Sequence, residues 1–233
     1  MIIVPLLLAC APKPADPLPL DVTTNWSRAS AQVHMSEHFT RTTAARDAII
    51  AGHMDEARVE LAWLAEHEET EGVPVEFGSW FADLRTVAAT GVGSTDARGM
   101  ASTIGGIGVQ CGGCHGTLNI QPLIPGAAGP TPQDSGDLRG HEARHRWAAD
   151  QLWIGLVQPS NTAWQQGLAA LQDPPVNPAA IGVDAQWHSV VEPYVGILRQ
   201  ISRADMELVD PQARAETFGL VVSACAGCHA AAK

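Results

Sequence analysis

The motif Cys-x-x-Cys-His occurs twice in this chain, as Cys111-Gly112-Gly113-Cys114-His115 and as Cys225-Ala226-Gly227-Cys228-His229. These motifs hold four of the five cysteines, and each second cysteine is followed at once by histidine. A zinc ribbon would bring its two cysteine pairs within about 15 to 20 residues, whereas these stand more than a hundred apart. Two disulfides would not require a histidine after each pair. A thioredoxin-like redox site needs a βαβ context, and no stretch shows strand alternation. The spacing does suit covalent haem attachment, in which two thiols add across the vinyl groups and the adjacent imidazole lies beneath the iron. Cys111, Cys114, Cys225 and Cys228 are therefore expected to hold two haem c groups, with His115 and His229 as proximal iron ligands.

The fifth cysteine, Cys10, follows an apolar run (residues 1–9) too short to span a bilayer, which takes about 20 residues. The run reads as a signal-peptide hydrophobic region, although no Lys or Arg precedes it. Leu7-Leu8-Ala9-Cys10 resembles the bacterial lipoprotein processing box, which implies a lipid on Cys10. Residues 10–27 begin rich in proline and read as a semi-rigid tether. The expected location is the periplasm, with the lipid anchored in a bacterial membrane.

Between the motifs, residues 126–136 are dense in Gly and Pro without periodicity, a linker composition. The segments on either side repeat weakly and in order. His38, Arg41, Ala45, Asp47, Ile49 and Gly52 match His141, Arg144, Ala148, Asp150, Leu152 and Gly155 at one offset. Leu61, Ala62, Leu64 and Trp80 match Leu168, Ala169, Leu171 and Trp187 at a second offset, and Asp96, Gly105 and the first motif match Asp210, Gly219 and the second motif at a third. Each half reads as four helices. In the first half these are 31–51, stopping at Gly52; a helix capped by Asp55 to about 68, with Val59, Ala62 and Leu64 inward; about 79–90, after a break at Pro74 and Gly78; and one capped by Asp96 that runs into the motif. The second half starts at Leu138, with Ser160, Asp184 and Asp210 as caps. The expected fold is all-α, two tandem four-helix bundles each ending in a Cys-x-x-Cys-His motif. They cover residues 28–118 and 137–233, joined by a linker at 119–136.

With the motif at the end of the fourth helix, each half resembles the cytochrome c-prime family and its low-spin relatives. Residues 46–58 (RDAIIAGHMDEAR) are similar to that family's first interhelical turn. The resemblance implies a four-helix bundle with haem between its helices, and in low-spin members a sixth iron ligand from the first helix. Candidates there are His34, Met35 and His38 in half one, and His141 and His145 in half two. His38 and His141 are the pair that correspond across the repeat, each fourteen residues before its glycine and on the stripe of Ala45 and Ile49 or Ala148 and Leu152. They are the preferred sixth ligands, with Met35 and His145 as alternatives. His53, His67 and His188 read as surface or core residues without a ligand role. Gly105, Gly106 and Gly108 weaken their helix, which points to close approach of haem or of another helix.

Iron ligated on both faces has no position for substrate, so the expected function is one-electron transfer to redox partner proteins. A gas-binding or sensing protein with five-coordinate haem, or a small haem oxidoreductase, are the alternatives. No dedicated catalytic base is evident in the sequence. The formal charge of −11 argues against a nucleic-acid partner, which needs a basic patch, and suits a partner with a basic docking face.

Overall fold

The computed structural model describes residues 28–68, 73–122, 124, 129–133, 135–172, 185–204 and 207–231. Cys10, the expected signal segment and tether, Asp184 and part of the expected linker lie outside them, as do the side chains of Trp187 and His188. The described residues form eight α-helices and no strand: α1 Arg28–Ala51, α2 Met54–Glu66, α3 Val75–Val92, α4 Ala97–Thr117, α5 Leu138–Val157, α6 Asn161–Leu171, α7 Ala185–Ala204 and α8 Pro211–Ala231. No helix among them is long and apolar enough to cross a membrane.

Three of the expected caps form. Asp96 accepts from the Gly99 amide at 2.8 Å, Ser160 from Ala163 at 3.2 Å and Asp210 from Ala213 at 2.8 Å. Asp55 does not cap α2. It lies in the first turn, where it favours the helix dipole, and pairs with Arg58 at 2.7 Å. The inward face of α2 is also rotated from the expected one. Val59 is 65% exposed, and Ala57, Leu61 and Leu64 are fully buried. Pro74 opens α3 rather than breaking it, because proline needs no amide donor at a helix start, and Gly78 lies inside the helix.

The repeat offset of the third helices also differs from the expected one. Gly113 is closed over by Trp80, and Gly227 by Tyr194. Leu84 and Leu198 are buried at matching places, as are Ala88 and Ser202. Tyr194, and not Trp187, is thus the structural counterpart of Trp80, and α3 and α4 share one offset with α7 and α8. The two glycines that end the first-helix match part company. Gly52 has φ +78° and turns the chain, whereas Gly155 remains helical and makes room for the backbone of Trp164.

Apart from a separate small cluster of Phe77, Phe81 and Cys114, most buried apolar residues of the two halves form one continuous core. Its tightest seam is α4 on α8. A Cβ on Gly105 would run into the backbone of Ala215, and one on Gly219 would meet Ser102 Cα at 3.1 Å. The pairings 105 with 215 and 219 with 102 run in opposite senses, so the helices are antiparallel and related by an approximate two-fold axis. At 1.5 Å rise per residue, the motifs start on opposite sides of this crossing, about 24 Å apart along the pair. The first helices meet near the same axis, where buried Arg46 bridges Asp47 and Asp150, each at 2.8 Å.

Candidate functional site

Each motif occupies the end of its helix, so its two cysteines lie one turn apart on one face with the histidine next to the second. None of these four cysteines forms a disulfide. Burial, and then the neighbouring thiol, pushes Cys111 and Cys225 up to about 12, and burial pushes Cys114 up to about 11. Cys228 is raised by burial and by the nearby carboxylate of Glu142 on α5. Glu142 is near enough to act on this thiol, so the first turns of α5, which carry His141 and His145, lie toward the second motif.

His115 is held by the opposite half. Its Nδ1 lies 2.8 Å from the Val157 carbonyl oxygen at the end of α5. A carbonyl only accepts, so Nδ1 carries the proton and donates. Burial lowers the imidazole below its usual value, against the raising effect of this bond, and the ring is then neutral with its lone pair on Nε2. Gly112 permits the approach, since a Cβ there would strike the Leu156 carbonyl. His229 is exposed at the end of α8.

Facing the first motif, Cys114 is buried with Phe77 and Phe81, and Met35, Trp80 and Leu118 pack against this group. Phe81 also meets the rings of His34 and His38, at centroid distances of 4.9 and 5.7 Å. His34 and His38 are both buried, on the inward stripe of α1. His67, which caps the end of α2, completes a cluster in which the three imidazoles each offer a nitrogen within 4.8 Å of the others. Trp63 stacks on His67 at 4.0 Å. His67 was not expected here. It lies beyond the last helical turn, where periodicity carries no facing, and its one signal is Trp63 four residues earlier.

In half two, His141 and His145 are half-buried with ring centroids 4.1 Å apart. Among the described residues the cluster is not repeated, and the counterpart of His34 is Asp137, which caps α5 through the Gly140 amide. His53 is a half-exposed residue beside Glu56. No protein family, curated protein or solved structure matches the chain.

Proposed function

We propose that the chain is a dihaem c-type cytochrome that carries single electrons, built as two tandem four-helix haem-binding halves. The observation that carries this reading is the paired arrangement of each motif at a helix end, with His115 fixed so that Nε2 is its free ligand atom. A haem group bound there supplies a ferric/ferrous couple. The chain's own residues fit it. Cys111 and Cys114, and Cys225 and Cys228, present thiols in pairs on one face, and none is spent in a disulfide. Trp80 and Tyr194 cover the glycine of each motif. The Val157 carbonyl orients the proximal ring of His115, a partnership that usually fixes tautomer and raises ligand basicity. Phe77 and Phe81 line an apolar wall beside Cys114.

On the distal side, half two offers His141, with His145 one turn on. Half one offers α1, where Met35 packs with the Cys114 group and His38 lies with His34 and His67. The acidic surface suits a basic redox partner. A lipid on Cys10 would hold the molecule at a bacterial membrane, facing the periplasm.

The test is haem content. Changing Cys111 and Cys114 together to Ala, in a host that matures c-type cytochromes, is expected to halve covalent haem per chain, and Cys225→Ala with Cys228→Ala to remove the other half. Unchanged haem content in both variants would contradict the assignment.

A further inference from the structure

We propose that His34, His38 and His67 form a binding site for a divalent transition-metal ion of the zinc and copper class, separate from either haem. The inference rests on the preceding reading in one respect: Met35, rather than His38, then stands on the distal side of the haem in half one.

Three imidazoles converging beside the rings of Trp63 and Phe81 make a typical donor set for zinc, copper or nickel. Here their ligand nitrogens already lie within 4.8 Å of one another, close enough for one ion to bridge all three after small ring adjustments. The Nε2 atoms of His38 and His67 are buried and have no hydrogen-bond partner. A buried polar atom left unpaired is destabilising, and a shared ion removes that cost at both. A haem iron would take one imidazole on its distal face and leave the others uncompensated, so the cluster suits a small ion better.

The walls act to the same end. His34 and His38 are one turn apart on α1, a chelating spacing, and their ring centroids lie 4.2 Å apart. Trp63 stacked on His67 and Phe81 edge-on to the α1 pair restrict the rings, and the Arg85 guanidinium reaches the His67 carbonyl at 3.5 Å. Three protein ligands leave a fourth position open, the pattern of reactive rather than purely structural zinc sites.

The experiment is a calorimetric titration of chelator-treated, untagged, haem-loaded protein with Zn²⁺, and of its His67→Gln and His38→Ala variants. Haem mass and optical spectrum are recorded on each sample, and circular dichroism checks helix content. The wild type is expected to bind one more Zn²⁺ per chain than His67→Gln, or to bind it at least 10-fold more tightly. His38→Ala is expected to lose the same ion and keep both haem spectra. Equal zinc binding by the wild type and a folded His67→Gln would overturn the site. So would conversion of one haem to high spin in His38→Ala, which would assign that histidine to iron. A chain lacking haem but still binding zinc through His67 would reject the cytochrome reading and leave the metal site standing.

Discussion

Replacing Gly105 with Val is expected to destabilise the protein by about 3 kcal/mol or more, at the upper end of what overpacking costs. The new side chain would enter the backbone of Ala215 on α8, which has no flexible end to move aside. At roughly 2–4 °C per kcal/mol for a chain of this size, the thermal midpoint should fall by about 10 °C. Gly78→Ala supplies the control. It lies within α3 with nothing inside 4 Å of a new Cβ, so it should be neutral or stabilise by up to about 1 kcal/mol. A chemical-denaturation curve decides the matter, and a Gly105→Val midpoint equal to wild type would mean that α4 and α8 do not pack as described.

On the proposed dihaem reading, His141→Ala is expected to convert one haem from low to high spin, and that haem alone should bind carbon monoxide once reduced. His141 and His145 are close enough, at 4.1 Å between ring centroids, that His145 can take over by a one-turn shift. The double variant His141→Ala with His145→Ala is therefore the decisive one. If it stays fully low-spin, the sixth ligand of half two does not come from α5. A wild type already binding carbon monoxide at both reduced haems would favour gas binding over electron transfer.

The sequence made the helical class legible because periodic apolar residues and caps such as Asp96, Ser160 and Asp210 state helix boundaries locally. The paired motifs were legible as five consecutive residues each, and the structure sets them at the ends of α4 and α8. What lay beyond reach was long-range. The Val157 carbonyl that orients His115 leaves no side-chain signature at all. Gly105 announced close approach, but not that its neighbour would be Ala215. The offset that carries Trp80 to Tyr194 was hidden by a chance match to Trp187, a like residue at the wrong register. His67 was passed over because a residue just past a helix end has no face that spacing can assign.

The most direct test of the cytochrome reading is the intact mass of the denatured polypeptide, after expression with an export signal in a host that attaches haem to Cys-x-x-Cys-His. The expected mass is that of the processed chain plus two haem groups that survive denaturation, with no thiol at Cys111, Cys114, Cys225 or Cys228 open to alkylation. A bare polypeptide mass, with all four thiols alkylated, would contradict it.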